Sequence, residues 1–180
     1  MNQHTPIVFS DGTAFYDELS KTYKTHTCGY FILAPSGAGK TYFVDNQSVK
    51  HWIDGDFLWP KANADLTDEV WNHDEDSVRE VNRRSDVITH QARKLGFWIV
   101  GSSNESLKPD AIVLPPWKVH VEYIKNREIT DYDGGAVSSD LEAVRSHRHI
   151  IEEWSLQKVP VFKSIKDAAD YLAKNSWPTA

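Results

Sequence analysis

The stretch Ala34-Pro35-Ser36-Gly37-Ala38-Gly39-Lys40-Thr41 follows directly on a short apolar run, Tyr30-Phe31-Ile32-Leu33. The octet fits the phosphate-binding pattern G-x-x-x-x-G-K-[ST], except that Ala34 replaces the first glycine. The apolar run is typical of a buried strand, which leads the chain into the loop. Because Gly-Lys-Thr is intact and a strand precedes it, we favour a phosphate loop over a chance glycine-rich turn.

The residue types of this loop suit the binding of a nucleotide. Gly37 and Gly39 let the backbone curl so that successive N–H groups point toward phosphate oxygens. Lys40 adds a cation for the β- and γ-phosphates. Thr41 offers a hydroxyl to Mg²⁺ at the start of a helix, whose positive end also favours an anion. The predicted nucleotide contacts are Ser36, Gly37, Ala38, Gly39, Lys40 and Thr41.

Composition limits the class of protein. The chain has 180 residues and a formal net charge of −6, which fits one globular domain and argues against broad non-specific nucleic-acid binding. Cys28 is the single cysteine, so there is no disulfide framework and no cysteine metal site. No apolar run approaches a membrane span and the N-terminus lacks a signal-peptide pattern, so we expect a cytoplasmic protein without a membrane partner. The oligomeric state stays open.

Two acids follow the second predicted strand. His51-Trp52-Ile53 runs into Asp54-Gly55-Asp56-Phe57-Leu58-Trp59-Pro60. Open α/β sheets bind ligands outside the C-terminal ends of their strands, so we favour a functional role over an ordinary surface turn. The third strand, over 97–101, ends without an acid, so Asp54 or Asp56 must supply the carboxylate for Mg²⁺, directly or through water.

The rest of the chain alternates between predicted strands and helices, which indicates a parallel sheet. Apolar residues at helical spacing predict helices over 15–23, 41–46, 77–95, 117–127, 141–154 and 164–172. Short apolar runs predict further strands over 110–114 and 159–162. Asp11 is expected to cap the first helix, Gly96 to end the third, and Ser164 with Asp167 to cap the last.

Two polar segments have less regular patterns. The acidic segment over 65–76 is either a substrate-covering segment or a solvated loop. The segment over 128–139 has a candidate hinge at Gly134-Gly135, and the helix after it carries Arg145, His147, Arg148 and His149. Such a segment is typical of a lid that closes over phosphates and excludes water, although an exposed helical hairpin is the alternative.

In these motifs the chain resembles the small P-loop kinases of the nucleoside monophosphate kinase-like group, and locally the gluconate kinases. In gluconate kinases the second strand ends in Asp-Gly-Asp-Phe-Leu-x-Pro, the form of Asp54 to Pro60, and adenylylsulfate kinases share the Asp-Gly-Asp portion. The order of elements extends the resemblance over most of residues 29–172. It implies a three-layer P-loop NTPase fold of class α/β, with a parallel sheet flanked by helices and a small helical lid. The implied division is an N-terminal extension, 1–28, and a P-loop kinase domain, 29–180.

The resemblance also implies roles for matching positions. Lys40 and Thr41 would hold ATP and Mg²⁺, while Asp54 would help to position the metal or the acceptor. Asp56 would accept the proton of an attacking hydroxyl or orient it, and Arg127 would be the lid cation that stabilises the transferring phosphoryl group. The implied catalytic residues are Lys40, Asp54, Asp56 and Arg127. The implied metal ligands are Thr41 and Asp54.

The leading functional hypothesis is an ATP-dependent kinase that phosphorylates a hydroxyl group on a sugar acid, a nucleoside or a hydroxymethylated base in DNA. A phosphate acceptor needs no base, so the Asp-Gly-Asp run favours a hydroxyl. A nucleoside monophosphate kinase and an NTP-binding regulatory ATPase are the alternatives. The seven tryptophans keep a nucleic-acid acceptor open, because rings stack on bases. Arg83 and Arg84 are weaker candidates for anion contacts.

Overall fold

A computed structural model describes residues 8–9, 11–61, 75–130 and 135–176. Its helices are α1 (Phe15–Thr22), α2 (Lys40–Asp45), α3 (Gly55–Lys61), α4 (Glu75–Lys94), α5 (Trp117–Glu128), α6 (Leu141–Glu152) and α7 (Ile165–Ser176). A 3₁₀-helix over Glu153–Gln157 continues α6. The strands are β1 (Tyr30–Leu33), β2 (Trp52–Asp54), β3 (Trp98–Gly101), β4 (Ala111–Val113) and β5 (Val161–Phe162).

The described strands form a five-stranded, all-parallel sheet in the order β2-β3-β1-β4-β5. Leu33 of β1 lies opposite Gly101 of β3 and Ile112 of β4, and Asp54 of β2 lies opposite Val100. The C-terminal ends of these strands therefore meet at one edge, which we call the carboxyl edge; the opposite one is the amino edge. The expected α/β class with a parallel sheet flanked by helices is confirmed.

Helices pack on both faces because side chains alternate between the two faces of a strand. On one face Phe31 packs with buried residues of α1, α3 and α4, and on the other Ile32 packs with buried residues of α2 and α7. Phe15 and Leu19 of α1 belong to the first cluster. The N-terminal segment thus contributes to the core of the main fold, while the division of the chain after residue 28 stays a prediction.

Two of the three predicted helix ends are confirmed. Gly96 follows α4 with a left-handed φ of 87°, which lets the chain turn out of the helix. Ser164 Oγ accepts a hydrogen bond from Asp167 N at 3.1 Å, at the start of α7. The prediction for Asp11 is wrong, because its carboxylate accepts a bond from Thr13 N and Ala14 is the N-cap of α1.

Other departures from the predicted elements lie near the carboxyl edge. The Asp-Gly-Asp run opens the helix α3, which the sequence pattern did not indicate. In α5, His120 is buried together with Ile124, whereas the apolar neighbour Val121 is only partly covered. Of the acidic segment over 65–76, only Glu75 and Asp76 are described, and they begin α4. Gly134 of the predicted hinge also lies outside the described residues.

None of the described helices is both long enough and apolar enough to cross a bilayer.

Candidate functional site

The loop after β1 has, at two positions, a backbone conformation that only glycine adopts easily. Gly37 and Gly39 have left-handed φ values of 81° and 90°, a region costly for residues with a Cβ. A Cβ on Gly37 would also lie 2.6 Å from Ile124 Cγ1. Within the described part of the chain, the backbone N–H groups of Gly37, Gly39 and Lys40 donate no hydrogen bond. Unpaired donors on a curled loop are suited to an anion.

Residues from α2, β2 and α3 meet beside this loop. Thr41 Oγ1 donates a hydrogen bond to Asp54 Oδ2 at 3.0 Å, and Asp56 N donates to Asp54 Oδ1 at 3.0 Å. Lys40 Nζ lies 3.8 Å from Asp56 Oδ2. Lys40 is 5% exposed and Asp54 6%, but the Asp56 side chain is 45% exposed. The structure therefore brings four sequence-predicted residues together and leaves one carboxylate accessible.

The electrostatics of this cluster favour an added cation. Burial raises the pKa of Asp54, and the charge of Asp56 raises it further, while Lys40 and the hydrogen bonds from Asp56 N and Thr41 lower it. A nearby positive ion stabilises the charged form of such a buried carboxylate. The hydroxyl of Thr41 and the carboxylate of Asp54 are the hard oxygen ligands that Mg²⁺ prefers.

A magnesium ion at this point would need further ligands. Across the described ranges, no group of three or more His, Cys, Asp or Glu side chains could hold a metal ion. Mg²⁺ is commonly bound by one or two protein oxygens together with substrate phosphates and water. Thr41 and Asp54 therefore fit Mg²⁺ as part of a metal–nucleotide complex.

A buried tryptophan lies beneath the two carboxylates. Trp59 of α3 packs so closely that a Cβ on Gly55 would lie 2.7 Å from its ring, and a Cβ on Gly101 would lie 2.6 Å from it. Its indole N–H donates to Thr89 Oγ1 at 3.1 Å, which fixes the ring against α4. Trp59 therefore sets the position of the Asp-Gly-Asp turn relative to the end of β3.

Two histidines lie at the site: His120, which the sequence pattern did not indicate, and His147, which belongs to the helix predicted after the candidate hinge. His120 is 0% exposed, and its Nε2 lies 2.8 Å from the carbonyl oxygen of Ser36 in the loop. His147 of α6 bonds through Nε2 to the carbonyl of Ser102 at 2.9 Å. Burial lowers the pKa of His147, and the charge of Lys40 lowers it further. The bond to Ser102 places α6 beside the loop that follows β3 at the carboxyl edge.

The segment after α5 also contacts the loop. Ala136 N donates to Ser36 Oγ at 2.9 Å. Arg127, the predicted lid cation, donates through Nη2 to the carbonyl of Ala136. Arg127 is thus linked to the loop through this segment.

The two arginines proposed as anion contacts lie elsewhere on the surface of α4. Arg83 and Arg84 each form a salt bridge with Glu80, at 3.3 Å and 3.0 Å. Partly exposed pairs of this kind contribute little to stability. The structure does not bring these arginines to Lys40 or Asp54 in any contact that it records.

Together these residues provide amide donors that are unpaired within the described chain, a buried ammonium group, a hydroxyl group bonded to a buried carboxylate, and an accessible carboxylate. The sequence matches no model of a known protein family and no curated protein. Function is therefore inferred from the geometry and chemistry of the site.

Proposed function

We propose that the protein is an ATP-dependent kinase that transfers the γ-phosphoryl group to a hydroxyl group of its acceptor. The observation that carries the proposal is the convergence of the loop N–H groups, Lys40, the Thr41–Asp54 pair and Asp56 at the carboxyl edge. Ligands of open α/β sheets bind outside this edge. The resemblance of Asp54 to Pro60 to the matching run of gluconate kinases supports the same reaction.

The loop and Lys40 would hold the phosphates of ATP. The amides of Gly37 and Gly39, which have no acceptor among the described residues, match phosphate oxygens. Lys40 is buried enough for its charge to be weakly screened. When bound through Thr41 and Asp54, Mg²⁺ would neutralise charge on the β- and γ-phosphates. Phosphoryl transfer depends mainly on this kind of positioning and charge stabilisation.

The accessible carboxylate of Asp56 would act on the acceptor. In the proposed reaction the acceptor oxygen forms a bond to the γ-phosphorus, and the bond from that phosphorus to the β–γ bridging oxygen breaks. ADP leaves with the electron pair of that bond, and Asp56 takes the proton of the hydroxyl. Lys40 Nζ, 3.8 Å from Asp56 Oδ2, would hold this carboxylate beside the phosphate loop.

The acceptor is proposed to be a hydroxyl on a sugar acid, a nucleoside or a hydroxymethylated base in DNA. A coupled assay of ADP release with one acceptor of each kind, and with nucleoside monophosphates, tests this directly. We expect ADP release to depend on a hydroxyl acceptor. ADP release that no acceptor stimulates would overturn the kinase proposal in favour of an NTP-binding ATPase.

The role of Asp56 is tested by Asp56→Asn, with Asp45→Asn on the exposed end of α2 as the matched control. Loss of a general base costs about 10²–10⁴-fold in turnover, so we expect kcat to fall by that order while the KM for ATP changes little. The control should keep its activity. Phosphorylation of a nucleoside monophosphate that survives Asp56→Asn would instead identify a nucleotide kinase.

A further inference from the structure

A buried polar contact that the proposed reaction does not use lies under the phosphate loop. His120 belongs to the first turn of α5 and is completely buried. Its Nε2 lies 2.8 Å from the carbonyl oxygen of Ser36, and its Nδ1 lies 3.0 Å from Arg148 Nη1. The His120 ring thus joins the loop to α6 through Arg148, which lies 28 residues after His120 in the chain.

The partners of this imidazole leave it a single protonation state. A guanidinium group has donors and no acceptor, so Nδ1 must accept from Arg148. A carbonyl oxygen only accepts, so Nε2 carries the proton and donates to Ser36. Burial lowers the pKa of His120, and the charges of Arg148, Arg127 and Lys40 oppose protonation as well, against the opposite effect of the bond to Ser36. The ring is therefore neutral, with its proton on Nε2.

Arg148 is itself held in place by α5 and the chain before it. Its Nη1 also donates to the carbonyl of Pro115 at 2.8 Å. Its guanidinium carbon lies 5.7 Å from the centroid of the Trp117 ring, and Arg145 stacks on the same ring at 4.2 Å. Cation–aromatic contacts of this kind restrict the guanidinium group, so the donor that sets the His120 tautomer has a defined position.

The bond from His120 to Ser36 determines which way one loop peptide faces. The carbonyl of Ser36 and the N–H of Gly37 belong to the same trans peptide and point in opposite directions. A peptide next to glycine turns over easily because glycine allows many backbone conformations. With the carbonyl held by His120, the N–H of Gly37 stays directed away from the histidine, where it has no acceptor within the described residues.

We infer that His120 and Arg148 are positioning residues: Arg148 sets the tautomer of His120, and His120 holds the Ser36 carbonyl so that the N–H of Gly37 remains available to a phosphate group. The inference rests on the proposed nucleotide site. It adds that residues of α5 and α6 orient a peptide group of the phosphate loop. It also couples α6 to the loop, since a displacement of α6 would withdraw Arg148 from Nδ1.

Two substitutions distinguish the effects of the two hydrogen bonds that the His120 ring forms. The amide nitrogen of glutamine occupies a position close to Nε2, so His120→Gln keeps a donor for Ser36. The amide oxygen of asparagine occupies a position close to Nδ1, so His120→Asn keeps only the acceptor for Arg148. By calorimetric titration with ADP, we expect His120→Asn to bind about tenfold more weakly, the effect of one lost hydrogen bond. His120→Gln should stay within about threefold of the wild type.

Thermal unfolding of both variants shows whether the effect is one of position or of stability. Both replace a buried ring, so both should unfold at lower temperature; a role in stability alone would weaken ADP binding equally in the two. That result, or unchanged ADP binding by His120→Asn, would overturn the inference. His90→Gln, at an exposed histidine of α4, is the matched control. A wild type that binds neither ADP nor pyrophosphate would overturn the proposed function, and with it this inference.

The tautomer is measured independently of any ligand. In ¹⁵N-labelled protein near neutral pH, we expect the His120 ring to show a protonated Nε2 and an unprotonated Nδ1. Arg148→Ala should give a mixture of tautomers and an ADP affinity reduced toward that of His120→Asn. A ring that keeps one tautomer and full affinity in Arg148→Ala would remove Arg148 from its positioning role.

Discussion

The amino and carboxyl edges of the sheet both carry partly buried charge, but they use it differently. At the amino edge Asp110 accepts a hydrogen bond from Phe31 N at 2.8 Å, and its other oxygen lies 3.5 Å from Arg93. At the carboxyl edge Lys40 is 3.8 Å from an accessible Asp56, and loop N–H groups have no acceptor in the described ranges. Native proteins pair nearly all their buried polar groups, so unpaired donors mark the edge where a ligand belongs.

The histidines of the two edges show the same contrast. At the amino edge His26 stacks on Trp98 with ring centroids 3.6 Å apart, and its Nε2 lies 3.2 Å from His51 Nδ1. At the carboxyl edge His120 and His147 bond to carbonyl groups of the loops that form the site. One pair of rings packs the fold together, while the other pair orients backbone groups beside a charged lysine.

The largest expected effect comes from Lys40→Ala. Removal of a group that stabilises developing charge typically costs about 10²–10³-fold in turnover, and here ATP binding should weaken as well. We expect kcat/KM for ATP to fall by at least about 100-fold, measured by the coupled ADP assay, with the unfolding free energy little changed. Activity close to wild type would contradict the assignment of the loop as a phosphate site.

Arg93→Ala is the counterpart at the amino edge. It leaves the Asp110 carboxylate, whose pKa is raised by burial, without its cation. A hydrogen bond to a charged group is worth about 1.5–3 kcal/mol, so we expect the unfolding free energy in urea to fall by about 2 kcal/mol while ADP affinity stays unchanged. Lys94→Ala, at the exposed neighbour, is the control. Loss of ADP affinity in Arg93→Ala would contradict the division between a structural amino edge and a ligand-binding carboxyl edge.

Gly101→Ala tests the packing beneath the carboxyl edge. The added Cβ would lie 2.6 Å from the Trp59 ring, and overpacking of this kind costs about 1–3 kcal/mol. We expect that loss of stability together with a displaced Asp-Gly-Asp turn and reduced turnover. In a Trp59→Phe background the added cost should shrink, because the smaller ring leaves room; equal costs in both backgrounds would show that Trp59 is not the cause.

The smallest effect is a dependence of stability on pH from the amino edge. The pKa of His26 is lowered from 6.5 to about 4, chiefly by burial and also by the charges of His51 and Lys24. Between these two values the unfolded chain binds a proton that the folded chain does not, so the unfolding free energy decreases as the pH falls from 6.5 toward 4. We expect His26→Gln to show a smaller difference in unfolding free energy between two pH values in this range, measured by urea unfolding. If His26→Gln shows the same difference as the wild type, the pH dependence comes from the other histidines with lowered pKa values.

The sequence predicted the elements that local patterns control. The helices around Val81 and Ala168, the glycine stop at Gly96 and the cap at Ser164 follow from spacing and side-chain type within a few residues. The strands β1 to β4 were predictable because they are short, apolar and almost entirely buried. Thr41 and Asp54, both implied as metal ligands, lie within hydrogen-bonding distance because parallel strands bring their C-terminal ends to one edge.

Other features could not be predicted because their cause lies far away in the chain. His120 shares a buried helical face with Ile124, where a pattern of apolar residues indicates Val121 equally well. The helix α3 forms over a run that contains glycine and proline, because Leu58 and Trp59 are buried against α4 and the sheet. The contact from Ala136 to Ser36 joins residues 100 positions apart.

The sequence by itself determined which chemical groups the protein carries and where strands and helices begin, because backbone preference and apolar spacing act over a few neighbouring residues. Only the tertiary structure decided which of those groups are buried, charged and oriented. Asp54 has a raised pKa because the fold covers it, and His120 has one tautomer because Ser36 and Arg148 reach it from opposite directions. Burial and hydrogen-bond partners arise from residues distant in sequence, and the parallel sheet brings those residues together.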